Sequence, residues 1–274
     1  MIIMFLQEIS SVLSEKFSPK SFKLNSEIYG LQYGQKRINK TIKKILLTID
    51  VSIEALHFAV RNKINLIISH HSLIKDPINT FNQNLINKLT LLTKYPISIF
   101  VLNSSFIAAE GGVSETIAEA LYLNIEKTFE INNYKGVKVP IGRICTPKHY
   151  LKKDQKISLE NLLKRIKTNL ELTHVLYVGN LKNIINKICI VGGDTPNIKY
   201  LRKAQNLECD CYITGKIDYL DAIYGRDTGF NLIEASHYKI EILALKKLSN
   251  ILSLEFPYVE FLLFESGDPF KISF

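Results

Sequence analysis

The stretch Lys44–His71, KILLTIDVSIEALHFAVRNKINLIISHH, decides the fold class. Lys44 to Asp50 reads as a buried strand, because Ile45, Leu46, Leu47 and Ile49 form a nearly continuous apolar run. Ser52 to Asn62 carries a short helix, and Leu66-Ile67-Ile68-Ser69 is a second apolar run of strand length. Strand, helix, strand is the unit of a parallel sheet covered on both faces, whose strands are apolar throughout rather than alternating.

Outward from this unit the alternation continues. On the amino-terminal side, Ile9, Val12 and Leu13 give Phe5 to Phe17 a helical spacing that Pro19 punctuates. Gly30-Leu31-Gln32-Tyr33-Gly34 predicts a turn or a close backbone approach. On the other side, helices are expected over Phe81–Thr93, Ser114–Leu123, Glu160–Leu170, Leu201–Asn206, Tyr219–Gly225 and Tyr238–Leu252. Strands are expected over residues 97–102, 175–178, 188–191, 211–214, 232–235 and 259–264. The span Asn132–Arg143 is turn-rich, with Gly136, Pro140 and Gly142, and marks a candidate boundary. The chain is therefore expected to be α/β throughout. One domain covers residues 1–130 and carries a His-His pair; a second covers 131–274 and carries a His-x-x-x-Glu motif.

Composition supports a packed globular protein: 274 residues, 46% hydrophobic and 22% charged. No apolar run has the length needed to cross a bilayer. The opening Met1–Leu6 is apolar but short, has no basic residues before it, and is followed at once by Gln7 and Glu8. That pattern argues against a secretory signal, and a cytoplasmic location is expected. The formal net charge of +9 invites a nucleic-acid reading. The basic residues are scattered, however, and the densest run (Lys36-Arg37, Lys40, Lys43-Lys44) has no interleaved aromatics. A Lys-rich solvated surface, compatible with a phosphate-bearing small molecule, is the simpler account. Cys145, Cys189, Cys209 and Cys211 show no CxxC spacing, and reduced, structural thiols are expected.

Ligands of open α/β sheets collect beyond the carboxyl ends of the strands, and two such ends carry imidazoles. The run Leu66–Ser69 stops at His70-His71. A lone histidine is usually a satisfied core or surface residue, but a pair closing so apolar a strand is less easily explained by packing. The second place is Leu232–Ala235, followed by Ser236 and His237. His237 and Glu241 are four apart, so at the start of a helix they share one face. They could be an inert surface pair. An imidazole and a carboxylate on one face can also ligate one ion, or the carboxylate can bridge two.

These residues carry a family resemblance. Ile49-Asp50-Val51, a helix, and Leu66 to Ile74 with the His-His pair resemble the first signature of the Nif-three-like family, whose members are labelled GTP cyclohydrolase 1 type 2 homologues. Tyr212-Ile213-Thr214-Gly215, Asp221-Ala222, His237-Tyr238 and Glu241 resemble its last. Gly30 to Gly34, Ala108 to Val113, Gly142-Arg143 and Asp268-Pro269-Phe270 are similar to the intervening and terminal motifs, in the same order. The resemblance implies two α/β domains with mixed or mainly parallel sheets facing a central metal cleft, and a homohexamer. It places metal ligands at His70, His71, His237 and Glu241.

One motif departs from the pattern. Family members carry a His-Thr-Asn-Leu-Asp run whose aspartate is a ligand; here it is Asn103-Ser104-Ser105-Phe106-Ile107. Isoleucine cannot coordinate a cation, so one zinc or iron ion or fewer per chain is expected. His71, His237 and Glu241 could form a three-ligand site with an open position. Asp50 and Glu110 are the carboxylates that could stand in for the missing aspartate. The resemblance implies a metal-dependent hydrolase of a small nucleotide-like or phosphate-bearing molecule. The ion would activate water, and Glu241, the expected catalytic residue, would handle the proton. The alternative is a non-catalytic or vestigial metal-binding oligomeric scaffold or regulatory protein with a degraded second metal site. A nucleic-acid-binding ring has only the net charge behind it, and a steep salt dependence of DNA binding would be its mark.

Overall fold

The two apolar runs that open the fold are interior strands: Ile45, Leu46, Leu47, Leu66, Ile67 and Ile68 are all fully buried. Each such side chain contributes about 1.5–3 kcal/mol on leaving water. The structure, a computed structural model, describes residues 4–25, 27–34, 39–75, 77–147, 156–193 and 197–273. Lys36 and Arg37 of the basic run lie outside the described residues.

The chain forms two compact units, Met1–Phe106 with Leu245–Phe274, and Ile107–Ala244. The division is discontinuous in sequence, in place of the single cut after residue 130 that the turn-rich span suggests.

In the first unit a five-stranded sheet has the order Glu260–Phe264, Lys44–Thr48, Leu66–Ser69, Ser98–Val101 and Gly30–Tyr33. The first four strands run parallel, and Gly30–Tyr33 is an antiparallel edge. The Gly30–Gly34 motif is thus largely a strand. Its expected close approach is at Gly34, where an added Cβ would lie 2.3 Å from Ser98 Oγ. The helix Ile53–Arg61 begins at Ser52, whose side chain accepts a hydrogen bond from the Ala55 amide. It buries Ala55, Leu56 and Ala59, and Leu56 and Ala59 pack into one cluster with the sheet residues Leu46, Ile67 and Ile99.

The second unit has a six-stranded mixed sheet, in the order Leu176–Val178, Asn231–Glu234, Cys211–Thr214, Ile188–Val191, Lys138–Pro147 and Leu123–Asn132. Its three strands Ile188–Val191, Cys211–Thr214 and Asn231–Glu234 are parallel. The span Asn132–Arg143 is not a boundary. Most of it belongs to an antiparallel hairpin, Leu123–Asn132 with Lys138–Pro147, that extends this sheet. Gly142 serves packing there rather than turning, since an added Cβ would lie 2.4 Å from the Ile190 carbonyl oxygen of the next strand.

All four cysteines are free and buried. Burial raises each thiol, to about 12 at Cys145 and about 11 at Cys209. Among the described residues no helix is long and apolar enough to cross a membrane.

Candidate metal centre

In the first unit, three neighbouring parallel strands end side by side, at Thr48, Ser69 and Val101. Register pairs Thr48 with Ser69 and Ser69 with Val101. The backbone ladder then continues past the strands. His70 N donates to Thr48 O (3.0 Å), His71 N to Ile49 O (2.8 Å), Leu102 N to Ser69 O (2.9 Å) and Asn103 N to His70 O (2.9 Å). The two histidines are therefore fixed in backbone position by both neighbours. His70 is buried, and its ring makes edge contacts with those of His71 (4.9 Å between centroids) and Phe106 (6.1 Å). His71 is partly exposed, and its Nδ1 lies 2.9 Å from Asp50 Oδ1.

Asn103 occupies the left-handed region (φ 49°), which asparagine tolerates better than most residues. Its side chain donates to the Ile28 carbonyl at 3.0 Å and so secures the turn out of the strand Ser98–Val101. Asn103 holds a backbone turn, where the family resemblance would place an imidazole.

The second unit repeats this layout with a different motif. The strand Asn231–Glu234 leads through Ala235 and Ser236 (φ 59°) into the helix His237–Glu255. Left-handed backbone at Ser236 turns the chain sharply enough for His237 to open the helix, and Ser236 O accepts from Ile240 N at 3.1 Å. The helix start sits against Gly215 at the end of the adjacent strand. A Cβ on Gly215 would fall 2.7 Å from Gly193 O, 2.8 Å from Ile240 Cδ1 and 3.1 Å from His237 Cα. Only glycine lets the helix approach this closely. The i, i+4 pair forms as the spacing predicts, with His237 Nε2 at 3.0 Å from Glu241 Oε1. Glu241 is 1% exposed while His237 keeps about a third of its side chain in solvent.

Ile107 is buried, and its Cδ1 lies 2.6 Å from where a Gly193 Cβ would be. A methyl group, with no donor, therefore covers the chain just past the carboxyl end of the strand Ile188–Val191. Glu110 is exposed.

Among the described residues, one group has the donors and spacing for a metal ion. His70, His71 and Glu241 each offer one ligand atom, and these atoms all lie within 4.8 Å of one another. Two imidazoles and a carboxylate are the donor set that zinc and ferrous iron accept with open positions left over. The group has His70 where the i, i+4 spacing suggests His237, which remains beside Glu241. Asp50 contacts His71 instead of joining the group. The residues that spacing does not single out are Ser236 and Gly215; a glycine directly after an apolar strand is the available signal.

The sequence matches the family described as Duf34/NIF3 (NGG1p interacting factor 3) over residues 4–269. The chain belongs to the DUF34/NIF3 family. Its DUF34/NIF3 relatives include a protein of Methanocaldococcus jannaschii, 24% identical over 87% of this chain and 91% of its own, and one of Clostridium perfringens, 26% identical over 98% and 99%. Both are named GTP cyclohydrolase 1 type 2 homolog. Among solved structures, a Bacillus cereus protein related to NIF3 superposes with a TM-score of 0.84 at 19% identity, covering both chains completely. A Staphylococcus aureus hypothetical protein gives 0.83 at 19%, again over both chains. At these identities the superpositions establish a shared fold.

Proposed function

We propose that the chain is a metal-dependent hydrolase holding one divalent transition-metal ion, zinc or iron, on His70, His71 and Glu241. The observation that carries this reading is the mutual approach of two imidazoles and a buried carboxylate to within 4.8 Å. When bound, such an ion supplies Lewis-acid activation of water. The chain's own residues then handle orientation and the proton. His237 Nε2, 3.0 Å from Glu241 Oε1 and partly exposed, is placed to pass a proton between that carboxylate and solvent. The naming of the relatives supports a small nucleotide-like or phosphate-bearing substrate, with which the net charge of +9 is compatible. A second ion has less support, because Ile107 offers a methyl where a carboxylate would be needed. The family resemblance further suggests a homohexamer; a monomer by light scattering across a wide concentration range would remove that part.

Ile107 also favours a second reading, a scaffold that has lost its chemistry. Elemental analysis of protein purified without added metal, then offered zinc or ferrous iron, tests the ion site, and nucleotide hydrolysis by the metal-loaded protein separates the two. The hydrolase reading expects about one ion per chain, removed by His71→Ala and by Glu241→Gln. Protein that takes up no ion when offered one would remove the metal site, and metal-loaded protein that hydrolyses no nucleotide would leave the scaffold. Two tightly held ions would show that another residue has replaced the missing aspartate, and Ile107→Asp would then add nothing.

A further inference from the structure

Asp50 and His71 follow neighbouring parallel strands and meet just beyond them. Register pairs Thr48 with Ser69, and the His71 amide donates to Ile49 O at 2.8 Å, so the backbones that carry the two side chains are held together by the sheet ladder itself. The Asp50 carbonyl in turn accepts a hydrogen bond from Thr48 Oγ1 at 3.1 Å. On this frame Asp50 Oδ1 lies 2.9 Å from His71 Nδ1.

An ionised carboxylate can only accept a hydrogen bond, so the proton in this contact belongs to Nδ1. A neutral imidazole carries one N–H, and with Nδ1 protonated its lone pair is on Nε2. We propose that Asp50 is a positioning residue: it holds His71 in the Nδ1–H form, turns the ring, and presents Nε2 to the metal ion. The inference rests on the metal-binding reading given above. An exposed Asp–His pair contributes little to stability, so a structural role gives this contact little reason to be built. For a ligating histidine the same contact fixes the tautomer, orients the ring and raises its basicity as a ligand. Asp50 itself stands outside the group of three donors that meet ligand spacing.

Two measurements on the full chain test this. The first is the tautomer of His71 in zinc-free protein, read by long-range proton–nitrogen correlation with the signal assigned by its loss in His71→Ala. Wild type is expected to be protonated at Nδ1, and Asp50→Ala to lose that preference. The second is zinc affinity by competition with a chromogenic chelator. Asp50→Ala is expected to bind zinc about 10–100-fold more weakly, the range typical of removing such an outer partner. Asp50→Asn should recover much of the loss, because its amide oxygen still accepts from Nδ1–H. Asp50 is largely exposed, so both variants are expected to fold, with unchanged circular dichroism. If His71→Ala loses zinc while Asp50→Ala keeps wild-type affinity or wild-type tautomer, the role of Asp50 is refuted and the metal site stands. If wild type binds no zinc, the metal reading fails and takes this inference with it.

Discussion

At the scale of single residues, the clearest case of chemistry fixed by surroundings is Arg143. It is 4% exposed, and its guanidinium is fully engaged: Nε and Nη2 meet Glu115 Oε2 at 3.0 Å, Nη1 bonds the carbonyls of Pro140 and Gly142, and Nη2 those of Ala108 and Ala109. The residue ties the Ala108–Ala109 turn to the strand Lys138–Pro147. Arg143→Met removes every one of these donors and leaves Glu115 with a largely buried, uncompensated charge. A loss of about 3–5 kcal/mol is expected, read as a lower urea midpoint. A loss under about 1 kcal/mol would mean that water satisfies these acceptors and that the turn is not held here. Residue-level legibility was uneven. The pairing of His237 with Glu241 could be read from their spacing. The grouping of Glu241 with His70 and His71 as ligands was expected from the family resemblance alone, because nothing local to positions 70 or 241 encodes it.

At the scale of elements, the apolar strands were legible because burial on both faces leaves an unbroken run, as in Leu66–Ser69 and Cys211–Thr214. The hairpin of the second unit was not. In Leu123–Asn132, residues 124–128 are exposed, so Asn124, Glu126 and Lys127 weaken the strand signal. In Lys138–Pro147, Pro140 and Gly142 imitate a turn. The structure gives Gly142 a different task, to let this strand lie against Ile188–Val191. Gly142→Ala should therefore force Ile190 O and Val191 Cγ2 away from contacts of 2.4 and 2.7 Å. A destabilisation of about 1–3 kcal/mol is expected, as for other overpacked sites. An unchanged urea midpoint would show that the two strands can part without cost.

At the scale of the whole molecule, four buried thiols set a dependence on pH. Burial raises Cys145, Cys189, Cys209 and Cys211 above the ordinary thiol value of 9.0. The unfolded chain then releases its thiol protons at a lower pH than the native one. Stability from this source is complete below about pH 9 and falls as pH rises toward the native values of about 11 and 12 at Cys209 and Cys145. The urea midpoint should drop as pH rises from about 9 to about 11, and less so in a Cys145→Ala, Cys209→Ala double variant. The same burial predicts slow reaction with a thiol reagent such as dithionitrobenzoate at about pH 8, with all four thiols titrating once denaturant is added. Two or more thiols reacting at once in the native protein would contradict the packing described here.

The strand Glu260–Phe264 pairs in parallel with Lys44–Thr48, and this has a consequence for synthesis on the ribosome. More than two hundred residues, including all of Ile107–Ala244, are made between the two partners. Throughout that interval Lys44–Thr48 is the outermost strand of its sheet, with Ile45, Leu46 and Leu47 beside an open row of backbone amides and carbonyls. Such an edge is what holdase chaperones cover and what neighbouring nascent chains can pair with. A ribosome stalled before residue 260 would carry the second unit complete and the first one still unsealed.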